Sequence, residues 1–403
     1  MASPGCGEGD PWFKDCEGIE CRESGDLRVA VGRGCMEETV SLYTHNGAPA
    51  ETEREVAERL LLQAEWLDGP PAYVKYGGLA GVGRRSVVFE VEAPPHGRLM
   101  VKVFKKPSGA SREAAVLGLL RGSPLAPRMA AVLRVDSTTY MVAVEPVEGE
   151  PMAGRFIESG VESLWRGEPR LPVEARLLGH AVRLLHDILA RRCNDEWCRP
   201  KEAGRSEVES WIGRVEARAR MLRKLGRGYD AAREAAETLE WLAGEWRSRI
   251  GLLVGSKVQV IHGDLHLYQV YLGPGGRVVF TDFEGEPVKA PGSPWDLEPR
   301  ERDLAALGRS IVYAAAIAVQ EARSVDVEEA AREALTGIPA RWARESFMEV
   351  LAGYGEGVDE ARLRFWLLER LSYEAVYEFA YETGYHPVPL WSLLSRPEDY
   401  LPP

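Results

Sequence analysis

Two short apolar segments in the second half of the chain each lead into a carboxylate, and they constrain the chain more than any other feature. The stretch Val258–Asp264 ends in the letters HGD, and Val278–Glu284 ends in DFE. Gln269 stands five residues after Asp264, and a Pro-Gly-Gly turn separates the two stretches. Apolar runs bounded by turn residues predict two short strands that present Asp264 and Asp282.

These residue types suit phosphoryl transfer. That reaction needs one carboxylate near the attacking hydroxyl and oxygen ligands for Mg²⁺. Kinase active sites place them as H-R-D-x-x-x-x-N and D-F-G, and this chain has H-G-D-x-x-x-x-Q and D-F-E at the corresponding spacing. We expect Asp264 to orient or deprotonate the hydroxyl, and Gln269 and Asp282 to hold the metal. The alternative is that both aspartates only form turns.

The run HGDLHLYQV followed by TDFEGEP resembles the maltokinases, a branch of the aminoglycoside-phosphotransferase-like kinases. This resemblance implies an α+β, bilobal, protein-kinase-like fold, with ATP and Mg²⁺ as cofactors. It implies an N-terminal cap over residues 1–70, a β-rich nucleotide-binding N-lobe with its hinge over 71–150, and a mostly helical C-lobe over 151–403. The C-lobe would carry the catalytic loop and the acceptor site.

The resemblance extends to a run after the second carboxylate, RDLAALGRS, in which Asp303 is expected to brace the catalytic loop by hydrogen bonds. An acidic residue at a helix N-terminus would occupy the same place for a different reason. We expect His262 to support the loop as well. His266 and Glu284 are expected to face the substrate.

A glycine run earlier in the chain resembles the kinase loop that covers the nucleotide phosphates. Gly81 and Gly83 match the first two glycines, and Ser86 stands in place of the third. Glycines let backbone N–H groups approach phosphates without obstruction by Cβ. By itself, such a run is more typical of a turn.

A single lysine lies in the apolar run that follows. Lys102 would be costly to bury unless it is paired, and Glu113 on the next helix is the expected partner. We expect Lys102 to bind the nucleotide phosphates; the alternative is an exposed basic strand end. Glu145 ends the strand that enters the expected hinge.

The C-terminal helix carries tyrosines and glutamates at a spacing of four. The set comprises Tyr373, Tyr377, Tyr381, Glu374, Glu378 and Glu382. This spacing puts each residue type on one helix face. Maltokinases have a similar Y-E-x-x-Y-E helix at the sugar site, which implies that Tyr373, Tyr377 and Glu378 contact the acceptor. The alternative is a packed tyrosine stripe beside a solvated glutamate stripe.

Periodicity predicts further elements. Strands are expected at Leu27–Val31 and Thr39–Thr44, and an amphipathic helix at Glu51–Leu67. Three long helices are expected at Val173–Arg191, Ser206–Leu225 and Tyr229–Ile250. His186, in the first of these, is interpreted as a core histidine rather than a ligand.

The net charge of -12 over 403 residues argues against a nucleic-acid partner or an anionic membrane partner. No apolar run of about 18 residues appears and the first residues lack a signal-peptide core, so we expect a cytoplasmic protein. Its expected partner is a small sugar acceptor, and the protein is expected to be a monomer or homodimer. Scarce asparagine, with Asn46 and Asn194 alone, is typical of a heat-adapted source. In such a source one or both of the spaced pairs Cys16/Cys21 and Cys193/Cys198 would be disulfides, with free thiols or a zinc site as alternatives.

Together these features predict an ATP-dependent kinase acting on a sugar hydroxyl, most simply converting maltose to maltose 1-phosphate. A kinase for glucosamine or another amino sugar or aminoglycoside is the alternative of the same class. A nucleotide-binding module without catalysis is the alternative of another class.

Overall fold

The computed structural model describes residues 18–24, 27–33, 40–44, 61–82, 86–104, 109–135, 137–286 and 297–403. Gly83 of the predicted glycine loop lies outside these ranges. The chain divides into two compact units, Met1–Val147 and Glu148–Pro403.

The first unit is built mainly of antiparallel strands. Its strands are β1 Gly18–Ser24, β2 Leu27–Arg33, β3 Val40–Thr44, β4 Glu65–Trp66, β5 Lys75–Val82, β6 Ser86–Glu92, β7 Arg98–Phe104, β8 Met129–Val135 and β9 Thr138–Val144. Strands β1, β2 and β3 form one sheet, and the others form a six-stranded sheet in the order β4-β8-β9-β7-β6-β5. Helix α1, Arg112–Leu119, follows β7 and begins at an N-cap serine, Ser111.

The six-stranded sheet is ordered by a buried apolar face. Phe89, Val91, Leu99, Val101 and Met141 are almost completely buried in one cluster. Phe89 and Val91 in β6, and Leu99 and Val101 in β7, lie two positions apart, which is the period at which side chains return to the same side of a strand. Met141 lies on β9. The sheet therefore holds β7, which carries Lys102, in a fixed register between β6 and β9.

The predicted helix at Glu51–Leu67 is wrong at its C-terminal end. Residues 51–60 lie outside the described ranges, but Leu61–Gln63 form a single 3₁₀ turn and β4 follows. Strand β4 pairs with β8, and Glu65 forms an ion pair with Arg134 at 2.6 Å. Tertiary pairing therefore overrides the helical periodicity here.

The second unit is mainly helical. Its helices are α2 Met152–Arg166, α3 Ala175–Arg192, α4 Arg205–Leu225, α5 Asp230–Ser248, α6 Arg300–Arg323, α7 Val327–Glu333, α8 Gly337–Tyr354, α9 Glu360–Ala380 and α10 Pro387–Ser395. Its short strands are β10 Glu150–Pro151, β11 Lys201–Glu202, β12 Lys257–Gln259, β13 Val270–Gly273, β14 Arg277–Phe280 and β15 Glu298–Pro299. They form the sheets β10-β13-β14 and β11-β12-β15. The three long predicted helices are found within two residues of their expected ends.

Helix α6 is the central helix of this unit and packs against α2, α8 and α9. In the part of the chain that the structure describes, it alone is long and apolar enough to cross a membrane by length and composition. Of its apolar window, 72% is buried inside the protein, as in a core helix. The N-terminal turn of α6 carries Asp303, so the core of the unit fixes that carboxylate.

Cys193 and Cys198 form a disulfide just after α3. Of the alternatives considered for this pair, the structure therefore has the disulfide. Cys16, of the other pair, lies outside the described ranges.

Helices α3 and α8 approach each other closely through two glycines. A Cβ on Gly179 would meet the carbonyl oxygen of Val350, and a Cβ on Gly353 would meet that of Arg176. Backbone atoms cannot move aside as flexible side-chain ends can, so these positions exclude any larger residue. The contact sets the position of α3, which carries His186.

We expect Gly179→Ala to destabilise the protein by about 1–3 kcal/mol, because overpacking forces the two helices apart. Gly213→Ala in α4 is the matched control, since no heavy atom lies within 4 Å of the added Cβ. Alanine there should stabilise the protein by about 0.5–1 kcal/mol through helix propensity. Urea unfolding of the two variants measures both effects, and equal stability of the two would contradict the close packing.

Candidate active site

The HGD segment is held by its backbone. It follows β12 after two residues, and the amides of His262 and Gly263 donate to Asp303 Oδ2 at 2.7 Å and Oδ1 at 2.9 Å. Gly263 has φ 88°, a left-handed conformation that glycine adopts without a Cβ penalty. The segment therefore turns sharply and presents Asp264 beyond the anchored amides.

Asp303 is itself buried and fully engaged. His186 Nε2 lies 2.9 Å from Asp303 Oδ2, and His186 Nδ1 lies 3.0 Å from the hydroxyl of Tyr354. A carboxylate only accepts hydrogen bonds, so Nε2 carries a proton toward Asp303. Burial alone would raise the pKa of Asp303, but the hydrogen bond and charge of His186, with the Gly263 amide, lower it to about 2. The structure thus places Asp303 where the sequence analysis expects a brace, and adds His186 behind it.

His262 joins the two carboxylate-bearing segments. Its Nε2 lies 2.9 Å from the carbonyl oxygen of Thr281, and its ring lies 4.8 Å, centroid to centroid, from that of Phe283. The ring is completely buried. It packs under the loop, as the sequence analysis expects of a supporting residue.

The two expected metal ligands lie together. Gln269 Nε2 donates to Asp282 Oδ2 at 2.9 Å, and the Thr281 hydroxyl donates to Gln269 Oε1 at 3.1 Å. Asp282 has φ 62°, a strained conformation that aspartate tolerates better than most residues. Carboxylate oxygens of Asp282 and Glu284 lie within 4.8 Å of each other. These oxygen donors fit a hard cation such as Mg²⁺.

Asp264 is paired with an arginine that the sequence analysis missed. Arg370 Nη1 in α9 lies 2.8 Å from Asp264 Oδ1. Burial would raise the pKa of Asp264, but the charge of Arg370, followed by that of His266, holds it below its ordinary value. Burial in turn lowers the pKa of His266. Asp264 is therefore held as an anion.

Arg370 belongs to a network of buried ion pairs joining α4, α6 and α9 to the catalytic segments. Its arginines are Arg214, Arg218, Arg302, Arg309 and Arg370, and its carboxylates are Asp264, Glu286, Glu298, Glu369 and Glu374. Glu286, from the EGEP run, contacts Arg302 at 2.7 Å and Arg370 at 3.2 Å. The signal in the sequence that could have indicated this network was the presence of charged residues within otherwise apolar helix segments.

The tyrosines of α9 begin beside Asp264. The Tyr373 ring centroid lies 4.9 Å from the Arg370 guanidinium, and burial together with the charges of Asp264 and Glu286 raises the pKa of its phenol. Ring centroids are 5.6 Å apart for Tyr373 and Tyr377, and 4.7 Å for Tyr377 and Tyr381. The helix ends at Ala380, so Tyr381 continues the row from the C-cap.

The glutamates of this helix do not form a solvated stripe. Glu374 binds Arg309 at 2.8 Å and Arg370 at 3.3 Å. Glu378 is buried and accepts hydrogen bonds from the hydroxyls of Tyr313 and Thr383. The expected solvated alternative is thus wrong for Glu374 and Glu378.

The predicted lysine pair is present in the first unit. Lys102 Nζ lies 3.0 Å from Glu113 Oε2, and the two side chains are 14% and 8% exposed. The alternative of an exposed strand end is therefore wrong for Lys102. A lysine buried in this way carries a charge that its glutamate partner compensates.

The remaining predicted residues of the first unit lie on its sheet. Gly81 is in β5 and Ser86 is the first residue of β6. Glu145 follows β9; its carboxylate lies 2.8 Å from Arg128, and its N–H donates to the Arg128 carbonyl. A hinge would offer backbone groups to a nucleotide, but the Glu145 N–H already donates to the carbonyl of Arg128, just before β8.

The sequence model of the phosphotransferase enzyme family matches residues 79–285, more than half of the chain. The chain therefore belongs to this family, the aminoglycoside-phosphotransferase-like kinases. The matched region begins before the glycine run and ends within the EGEP run. The predicted aminoglycoside-phosphotransferase-like family is confirmed, and the maltokinase branch stays a prediction.

One curated protein and two solved structures that are similar to the chain are glucosamine kinases. The sequence is 34% identical over 133 residues to the glucosamine kinase of Mycolicibacterium smegmatis (strain ATCC 700084 / mc(2)155), a match spanning 32% of each chain. A solved glucosamine kinase (crystal form B) has a TM-score of 0.67 at 18% identity and covers 98% of both chains. Another, in complex with glucosamine, ADP and inorganic phosphate, has a TM-score of 0.63 at 17% identity over 96% of this chain and 95% of that one. The expected α+β, bilobal kinase-like fold is confirmed.

Proposed function

We propose that the protein is a kinase that uses ATP and Mg²⁺ to phosphorylate a hydroxyl of a small sugar. Glucosamine is the first candidate acceptor and maltose the second. The observation that carries this proposal is the placement of Asp264, whose Oδ1 is bound by Arg370 and whose side chain is 16% exposed. Its Oδ2 would receive the acceptor hydroxyl and orient it for in-line attack.

Asp282 would hold Mg²⁺, with Glu284 close enough to contribute. Gln269 would join them once its amide turns its oxygen from the Thr281 hydroxyl toward the ion. The bound ion would neutralise charge on the transferring phosphates. Lys102, kept in place by Glu113, would contact the phosphates of ATP, and the backbone around Gly81 and Ser86 would cover them. On this proposal the protein positions the reactants and neutralises the phosphate charge, and Asp264 alone accepts the proton of the acceptor hydroxyl.

The row of tyrosines on α9 supports a sugar as acceptor, because aromatic faces pack well against the C–H faces of sugar rings. Tyr373 begins this row but is only 4% exposed, with its ring against Arg218 and Arg370, so its predicted contact with the acceptor is wrong. Tyr377 and Tyr381, which are partly exposed, would offer the aromatic faces. His266 is half-buried next to the Asp264 carboxylate. A sugar ring packed against these side chains would place one of its hydroxyls next to Asp264.

The choice of glucosamine rests on the curated relative. Glu374 and Glu378 do not support an ammonium-bearing acceptor, because protein donors already bind both carboxylates. Maltose remains the second candidate because the TDFEGEP and Y-E-x-x-Y-E runs resemble those of maltokinases. A module without catalysis would be expected to lose the carboxylate or a metal ligand. Asp264, Gln269 and Asp282 are all present.

An acceptor panel tests the proposal. We expect transfer from ATP·Mg²⁺ to glucosamine with the highest kcat/KM among glucosamine, maltose, glucose, trehalose and kanamycin. Maltose as the sole acceptor would move the substrate to the second candidate and keep the kinase. ATP binding without transfer to any of the five would contradict the proposal and support the module without catalysis.

A further inference from the structure

One arginine ties the reacting carboxylate to the helix that carries the tyrosine row. Arg370 Nη1 contacts Asp264 Oδ1 at 2.8 Å and Glu286 Oε1 at 3.2 Å, while its Nε contacts Glu374 Oε1 at 3.3 Å. The three carboxylates come from the catalytic loop, the segment after Asp282, and α9 itself. Only a guanidinium presents donors in this fixed fork.

The partners of Arg370 are fixed in turn. Glu286 Oε2 is held by Arg302 at 2.7 Å and by Arg218 at 3.3 Å. The Arg302 and Glu286 side chains are 3% and 1% exposed, so these pairs are shielded from water and salt. The carboxylate that Arg370 presents to the acceptor is therefore anchored through two further helices, α4 and α6.

Resting on the proposed function, we infer that Arg370 is a positioning residue that fixes the Asp264 carboxylate and aligns it with the acceptor face of α9. It binds one carboxylate oxygen and leaves the other to receive the acceptor hydroxyl. Because Arg370 lies on the same helix as the partly exposed Tyr377, the group that holds the reacting carboxylate and the tyrosine that would contact the acceptor share one rigid support. The spacing between acceptor and base is thereby set by a single helix.

Variants of Arg370 are expected to slow the chemical step. Arg370→Gln should lower kcat about 100-fold, since small misplacements of a reacting group cost this much. The KM for ATP should stay within about threefold, because no nucleotide contact is removed. Arg370→Lys keeps the charge but cannot reach all three carboxylates, so about a 10-fold loss in kcat is expected.

The matched control is Arg214→Gln, which removes another guanidinium from the same buried network. Arg214 contacts Glu298 at 2.8 Å and Glu369 at 3.2 Å. Both variants lose a buried charge pair and should lose similar thermal stability. Added guanidinium ion, well below denaturing concentrations, should raise kcat of Arg370→Ala and leave that of Arg214→Ala unchanged. A kcat loss in Arg370→Gln no larger than in Arg214→Gln would overturn the inference.

A second readout does not depend on turnover. Amide hydrogen exchange of the peptide 262–269 in the protein without ligands should quicken in Arg370→Gln and not in Arg214→Gln. If the wild type phosphorylates no acceptor, the proposed function fails and this comparison still decides whether Arg370 holds the loop. Equal exchange in both variants would overturn the positioning role even in an active enzyme.

Discussion

Replacing Asp264 by asparagine is expected to lower kcat by at least about 100-fold, the usual contribution of a positioned general base. Asparagine matches aspartate in shape but cannot accept the proton of the acceptor hydroxyl. It also leaves Arg370 with one fewer carboxylate, since Asp264 lies 2.8 Å from that guanidinium. Steady-state phosphate transfer to the best acceptor of the panel measures the loss.

The control for this variant is Asp187→Asn. Asp187 also pairs with an arginine, Arg183, at 3.2 Å, but lies outside the site. Asp187→Asn should keep wild-type kcat, and Asp264→Asn should keep ATP·Mg²⁺ affinity within about threefold because the nucleotide ligands remain. Near wild-type turnover of Asp264→Asn, with both variants folded, would remove Asp264 from its role.

Replacing Asp303 by asparagine is expected to destabilise the protein by about 3–5 kcal/mol, the usual result of breaking a buried charged group's contacts. Asp303 is 1% exposed and accepts hydrogen bonds from two loop amides and from His186. An amide side chain has one oxygen in place of two, so at least one donor is left buried without a partner. Urea unfolding at neutral pH measures the change.

The pH dependence of stability gives a second readout for Asp303. Its pKa falls from an ordinary 3.8 to about 2 in the folded protein, so the folded state favours the ionised form. The stabilisation is complete above the unfolded value and disappears as the pH falls from about 4 toward 2. The wild type should therefore lose more stability than Asp303→Asn in this range. Parallel curves for the two proteins would contradict the brace.

The family and the reacting carboxylate were predictable because they depend on local sequence. The HGD and DFE segments each place a carboxylate a few residues after a short strand, and Gln269 follows at a fixed spacing. Asp303 was also predictable, because the RDLAALGRS run that contains it resembles a local motif of the maltokinases. The structure places it in the first turn of α6. Features of this kind can be recognised in a single sequence, because their residues lie close together along the chain.

The support behind these residues could not be predicted. Arg370 lies 106 residues from Asp264, and His186 lies 117 residues from Asp303. Periodicity assigns charged residues to a solvent face, but here α9 is buried on most sides and its charges pair with one another. The predicted helix end at Glu65 was wrong for the same reason, because the strand that pairs with this segment, β8, lies far along the chain.

The most direct test of phosphate transfer to a sugar is ³¹P NMR of the wild type with ATP, Mg²⁺ and glucosamine, and in a parallel sample with maltose. We expect a sugar phosphate ester that accumulates in equal amount with ADP in at least one sample. Addition of Asp264→Asn protein in place of the wild type should leave the spectrum unchanged over the same time. ADP accompanied only by inorganic phosphate, or no consumption of ATP with either sugar, would contradict transfer to a sugar hydroxyl.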